Sequence, residues 1–190
     1  MAFSGWADPW KALSESWGTY DKLPGDKWIS LGGGNSNGRF TWNNLNEINN
    51  AINGGSFNAF HGIVFDVEEG DSGLASSFRQ AFQTCKNKGI AVLVTVSHSA
   101  PYGIGDAYSL MDSFFHDGNI DFLSPQLYTS GEEGGNDFTT TMGVPWSSYG
   151  SWNTKAKVIP SIVKADFYWD AAGYLGTQGV DIKGFMQWSQ

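Results

Sequence analysis

Two carboxylates spaced two residues apart carry the strongest chemical signal in this sequence. In the segment from Phe60 to Gly70 an apolar run, Gly62–Phe65, leads directly into Asp66, Val67 and Glu68. Alternate residues of a strand share a face, so Gly62, Val64, Asp66 and Glu68 point one way while Ile63, Phe65 and Val67 point the other. Both acids therefore emerge together at the carboxyl end of a strand, the end where parallel barrels keep their chemistry. Like charges this close and partly walled off from water cannot both ionise, so one is expected to stay protonated near neutral pH and to act as a general acid. The competing reading is a solvated pair of strand-end acids. His98, in the run Thr95–Ser99, is expected at the carboxyl end of its own strand, near the same cleft and able to hydrogen-bond there. His61 should start the acid-bearing strand, and His116, beside Asp117 at a helix end, reads as a surface or capping residue.

The elements that must position these acids follow from periodicity. Apolar runs at Trp28–Leu31, Gly62–Phe65, Ile90–Val96, Ile120–Leu123, Val158–Val163 and Ile182–Trp188 read as strands, with a shorter candidate at Ala2–Trp6. Between them Leu45, Ile48 and Ile52 share one helical face, and Leu74, Phe78, Phe82 and Cys85 share another. Ala107, Leu110, Met111, Phe114 and Phe115 form a third. Thr41, Asp71 or Ser72, and Asp106 stand where helices should start, and Gly54, Gly89 and Gly118 where they should stop. Strands alternating with helices predict a parallel sheet wrapped by helices, either open and doubly wound or closed as a barrel. No G-x-G-x-x-G follows the first strand, and the Gly32-Gly33-Gly34 run leads into an Asn-Ser-Asn-Gly loop, which weakens any dinucleotide site. The six clear runs start about 31 residues apart on average, and eight such units would need about 250 residues. The expectation is therefore an α/β fold, a TIM-type (β/α) barrel that is incomplete, with about seven strands and the missing unit either absent or hidden between Trp10 and Gly25. Its open edge should be covered by an irregular amino-terminal segment or closed by a dimer.

Composition limits the partners. With 190 residues, 41% hydrophobic and 16% charged, the chain suffices for one domain spanning 1–190 with its own core. A net charge of -8 has the wrong sign for gripping nucleic acid or an anionic membrane surface. The single cysteine, Cys85, excludes an internal disulfide and cysteine-cluster metal sites, and its place on a helical face makes it a core residue. No metal or cofactor is expected. No apolar run approaches the roughly 18 residues of a membrane span, and Met1–Trp10 has neither a basic nor an apolar targeting region. An extracellular location is favoured if a signal peptide has been removed. Nine Trp, seven Tyr and thirteen Phe make 15% of the chain. Most of the Trp lie among Gly, Ser and Asn, a setting that suits stacking on sugar rings as well as loop packing. The stretch Thr129–Thr154, with Glu132, Glu133, Trp146, Tyr149 and Trp152, reads as a long loop that either lines the substrate or is an ordinary solvated connection.

Four motifs in order resemble those of glycoside hydrolase family 18, the chitinases and their relatives, across most of the chain. The family's D-G-x-D-x-D-x-E strand motif is matched by His61-Gly-Ile-Val-Phe-Asp-Val-Glu68. Ser30-Leu-Gly-Gly33 is similar to its S-x-G-G, Gln126-Leu-Tyr128 to its Q-x-Y, and Gly184-Phe-Met-Gln-Trp188 to its last strand, whose Trp floors the sugar site. The resemblance implies a TIM barrel whose first strand is missing, with the Trp28 run matching strand three and the acid strand matching strand four.

The activity so implied is retaining hydrolysis of β-1,4 bonds after N-acetylglucosamine, in chitin or chitooligosaccharides, with the substrate's own acetamide oxygen as nucleophile. By position, Glu68 is the acid and base, Asp66 holds the acetamide N–H, and Tyr128 hydrogen-bonds the acetamide oxygen. Trp188 supports the distorted ring, and Gln126, Ser30, Met186 and His98 join it as substrate-binding residues. Two departures matter: His61 and Val64 stand where the family has aspartates. Val64 shares the inward face of Asp66 and Glu68 and offers Asp66 no resting partner, so Asp66 should stay bonded to Glu68 or borrow Tyr128 or Ser124. Two alternatives therefore stand beside the chitinase reading: a non-catalytic lectin for N-acetylglucosamine polymers, and an endo-β-N-acetylglucosaminidase acting on N-glycans.

Overall fold

The computed structural model describes residues 1–188. Helix α1 (Pro9–Tyr20) precedes strand β1 (Trp28–Gly32), and the chain then alternates through α2 (Trp42–Asn53), β2 (Gly62–Val67), α3 (Ala75–Asn87), β3 (Ala91–Ser97), α4 (Ala107–Phe115) and β4 (Phe122–Gln126). After a long loop come β5 (Lys157–Val158), β6 (Ser161–Ile162), α5 (Tyr168–Thr177) and β7 (Met186–Gln187). All strands are parallel, in the order β1-β2-β3-β4-β6-β7 with β5 also on β4, and they curl into an open half-barrel.

Local signals explain most of these bounds. Asp8 caps α1, its Oδ1 accepting the N–H groups of Trp10 at 2.8 Å and Lys11 at 3.1 Å, with Pro9 in the first turn. Thr41 caps α2 by accepting the N–H of Asn44 at 3.2 Å. Two expected starts differ. α3 begins at Ala75 because Asp71 is engaged by Arg39 at 2.8 Å. Asp106 occupies the N-cap position of α4, but its carboxylate accepts the Gly73 N–H at 2.8 Å and so ties two loops together. The apolar run at Val158–Val163 splits into β5 and β6 at Ile159-Pro160, as a proline lacking a ladder donor requires.

Register fixes what faces inward. Gly32, Asp66, Thr95 and Ser124 lie side by side across β1–β4, with Ser30, Val64, Leu93 and Phe122 one layer below. Val64, Leu93 and Phe122 of the lower layer, with Met1, Trp28, Ile159 and Met186, bound an apolar cavity of about 280 Å³. The opposite face carries Ile63, Phe65, Val67, Val92 and Val94, all buried against the helices, where Phe65, Phe78, Phe82 and Phe114 pack mostly edge to face. Cys85 lies wholly within this core, and burial pushes its thiol up to about 12.

The Ala2–Trp6 run is an irregular strip along β1. Ala2 N–H donates to Trp28 O at 2.8 Å, Ser30 N–H to Ala2 O at 2.9 Å and Gly32 N–H to Trp6 O at 2.9 Å, while Gly5 interrupts the strip at φ 69°. Phe3 then reaches the far edge and meets Trp188 edge-on at 5.4 Å. Of the two closures expected for the open edge, this is the amino-terminal segment. Helix α1, and no further strand, occupies the stretch between Trp10 and Gly25.

Gly32 is a point of close approach between β1 and the acid strand. Its φ is 96°, and a Cβ there would overlap the Asp66 carbonyl oxygen and the Phe40 ring. Gly32→Ala is expected to destabilise the fold by about 3 kcal/mol or more, combining backbone strain with overpacking. An unchanged urea midpoint would contradict this packing.

Candidate active site

Asp66 is the penultimate residue of β2 and Glu68 follows the strand's last residue, so both side chains reach the carboxyl rim of the half-barrel. They line a cavity of about 280 Å³ together with Gln126 and Tyr128, at and just beyond the end of β4, and Trp188, just beyond β7. Five residues singled out from sequence are thus brought to one place. Tyr128 and Trp188 lie with ring centroids 5.9 Å apart and tilted by 32°, forming an aromatic wall beside the acids. Ser30 and Met186 lie deeper, around a narrow space beneath Asp66 and Gln126. His98 stands behind the cavity wall: its Nε2 is 3.1 Å from Asp137 and 3.5 Å from the hydroxyl of Thr129, which does line the cavity. His98 has a positive φ of 48°, an uncommon strain outside glycine.

Asp66 is almost out of water, only 4% exposed, while Glu68 is half-buried at the cavity. The Gln126 amide donates to Asp66 Oδ1 at 3.1 Å and to Glu68 Oε1 at 3.5 Å, and the Gly34 N–H donates to Glu68. The two carboxyls also hydrogen-bond each other. Burial, then the charge of Glu68 and the bond to it, raise Asp66 well above the usual carboxylate range, against a smaller pull from Gln126. Burial raises Glu68 as well, but the bonds from Gln126, Asp66 and Gly34 pull it back down, while the charge of Glu69 opposes them. The pair is therefore expected to hold one proton between its two carboxyls near neutral pH. Burial and these acids also push the Tyr128 phenol up, so it is a donor at neutral pH.

Several site residues carry no signal in the sequence alone. Phe3 and Asn35 enter from loops, and Gly34 contributes only its backbone. Glu133, weighed from sequence as a lining residue, instead shapes the wall: it accepts the N–H groups of Thr129, Ser130 and Gly131 at 2.8, 2.6 and 2.8 Å. Burial works against its charge, yet the N–H groups of Ser130, Thr129 and Glu133 itself, with the Ser130 hydroxyl, bring its carboxyl down to about 2. Gly131, at φ 84°, leaves room for the Trp188 indole, which a Cβ would overlap. The other aromatics of the 129–154 stretch are not in the site. Trp146 and Tyr149 are buried, donating to Phe138 O at 2.7 Å and Ser99 O at 2.8 Å, while the exposed Trp152 lies near Tyr108 and Phe115 of α4. His61 is at the opposite, amino end of β2, its imidazole 3.9 Å from Asp26, and does not touch the acids. Among the described residues no three His, Cys, Asp or Glu side chains gather as a metal would require.

The chain matches no protein-family model and no curated protein.

A buried acid with a raised pKa stabilises the fold while protonated and loses that contribution as pH climbs through its folded value. Wild-type thermal stability is therefore expected to fall as pH rises above the ordinary carboxylate range and through the raised values of the pair. Asp66→Asn should flatten this decline, because it removes the second ionisation. Parallel melting curves for the two proteins across pH 4 to about 9 would show that the pair does not share one proton.

Proposed function

We propose that this chain is a glycosidase that cleaves β-1,4 bonds after N-acetylglucosamine in chitin or chitooligosaccharides, with the substrate's acetamide as nucleophile. The observation that carries this reading is the hydrogen-bonded Asp66–Glu68 pair. Glycosidases that use two opposed carboxylates hold them about 5 Å apart when one is the nucleophile and about 6.5 Å or more apart when one activates water across the ring. A pair in direct contact fits neither arrangement. Glu69, the next carboxylate in the chain, is not part of the cavity lining. The nucleophile is then supplied by the sugar.

The pair's shared proton opens the cycle, and water replaces it at the end. The proton passes from Asp66 to Glu68 along their hydrogen bond, leaving Asp66 anionic to accept the acetamide N–H. Glu68 gives the proton to the glycosidic oxygen as the acetamide oxygen bonds to C1 and the C1–O bond breaks, forming an oxazolinium ion and the free leaving sugar. Glu68 then takes a proton from water, whose oxygen attacks C1 and opens the oxazolinium with overall retention. Tyr128 donates to the acetamide oxygen, and Trp188 supports the ring.

Glu68→Gln is expected to lower hydrolysis of chitooligosaccharides at least about 10²-fold, the scale of general acid catalysis, while binding persists. Equal turnover by variant and wild type would defeat the assignment of Glu68, and binding without hydrolysis by either would favour the lectin reading, to which Val64 lends support. Val64 also leads to a second test. It faces Ser30 in register, and the Ser30 hydroxyl is buried without a hydrogen-bond partner. An acid at position 64 would meet that donor and give Asp66 a second resting position. Val64→Asp is expected to raise turnover and shift its pH profile; a folded variant with both unchanged would show that turning of Asp66 does not limit the rate.

A further inference from the structure

Beyond Glu68 the chain builds a feature that this cycle leaves unused. Tyr102, in the β3–α4 loop, is 49% exposed and lies outside the cavity lining. Its hydroxyl donates to Glu69 Oε1 at 2.9 Å. The loop is fastened to the end of the acid strand: Gly103 N–H donates to Glu68 O at 2.9 Å, Gly70 N–H donates to Gly103 O at 3.2 Å, and Glu69 and Gly103 form a parallel bridge. Two glycines permit the approach. A Cβ on Gly34 would lie 2.8 Å from Glu68 Oε2 and 3.0 Å from the Tyr102 hydroxyl oxygen, so both oxygens crowd one point, and a Cβ on Gly103 would meet Glu69 Cγ at 2.6 Å. Burial, the bond to Glu69 and the charges of Glu69, Glu68 and Asp66 push the phenol up to about 12, so it remains a donor to Glu69 at any working pH. The hydroxyl is thereby committed and the ring's position fixed, while much of the ring stays open to solvent.

The two Glu68 oxygens thus face different neighbours: Oε1 the Gln126 amide, in the cavity walled by Tyr128 and Trp188, and Oε2 the Gly34 backbone, which the Tyr102 hydroxyl also approaches from outside the lining. We propose that Tyr102 is the platform for the leaving-group sugar, selecting substrates that continue past the scissile bond with a neutral ring. The inference rests on the glycosidase reading. An acid that protonates the glycosidic oxygen must stand between the two sugars it separates. With the sugar to be cleaved against Trp188, its neighbour falls on the Tyr102 side. There an amphipathic sugar face can cover the exposed ring, while Glu68 and Glu69 repel an anionic sugar.

The test compares wild type, Tyr102→Ala, Tyr102→Leu and Tyr102→Phe on two substrates: tetra-N-acetylchitotetraose, whose leaving group is a sugar, and methyl β-chitobioside, whose leaving group has no ring. Tyr102→Ala and Tyr102→Leu are expected to raise KM for the tetrasaccharide about five- to tenfold, the worth of one aromatic contact. Both should leave kcat/KM for the methyl glycoside unchanged, and Tyr102→Phe, which keeps the ring but gives up its anchor on Glu69, should lose less than either on the tetrasaccharide and nothing on the methyl glycoside. Leucine preserves packing without a ring, so it reports even where alanine disturbs the loop. Equal losses on both substrates, or none on the tetrasaccharide, would overturn the role of Tyr102 and leave the glycosidase reading intact. A wild type that cleaves neither substrate, or a Glu68→Gln variant that cleaves both as fast as wild type, would overturn that reading and this inference together.

Discussion

Two carboxyls in contact, Asp66 buried and Glu68 half-buried, accept one negative charge between them, and much of the surrounding architecture answers that constraint. A second charge would be taken out of water beside the first, at a cost of several kcal/mol. The single charge still needs donors, and it receives them from opposite sides, the Gln126 amide at the end of β4 and the Gly34 N–H beyond β1. A backbone donor can come this close only without side chains in the way, which accounts for the glycine run after β1. Gly32 leaves room for the Asp66 backbone, and Gly34 for the Glu68 carboxylate itself.

A sheet that does not close must still cover its inner face. Here the amino-terminal strip hydrogen-bonds along β1 and sends Phe3 across to Trp188. The same contact braces the indole that walls the acid pocket. The cover at the open edge and the wall of the site are therefore one piece of structure, and the fold's incompleteness is felt directly at the chemistry. Below the acids the interior remains partly hollow and apolar, whereas a complete barrel would fill that space with side chains from further strands.

The acid strand was legible because its two periodicities agree: an unbroken apolar run for a strand buried on both faces, with acids at alternate positions at one end. The same holds for β3 and for the helical faces of α2, α3 and α4, where apolar spacing alone names the buried residues. The back half was harder to read. Pro160 divides one apolar run into two short strands, and in the Ile182–Trp188 run only Met186 and Gln187 pair, Gly184 preceding them at φ 141°. Tertiary demands also redirected local signals. Asp106 looks like a cap by sequence, but a loop N–H from 33 residues earlier takes its carboxylate. Trp146 and Tyr149 sit in a polar stretch yet are core. The roles of Gly34, Glu133 and Tyr102 depend on loops meeting across the rim, which no spacing along the chain encodes.

The sheet is uneven in a way that bears on how it breathes. β2 and β3 are six and seven residues long and flanked on both sides, whereas β5, β6 and β7 have two residues each. Amides in the central strands can exchange with solvent only when the domain unfolds as a whole, but those of β7 are released by a local opening that breaks few bonds. The wall bearing Trp188 is thus the sheet's loosest margin. A long ligand can be laid into such a cleft from the side, anywhere along its length, without being threaded from an end.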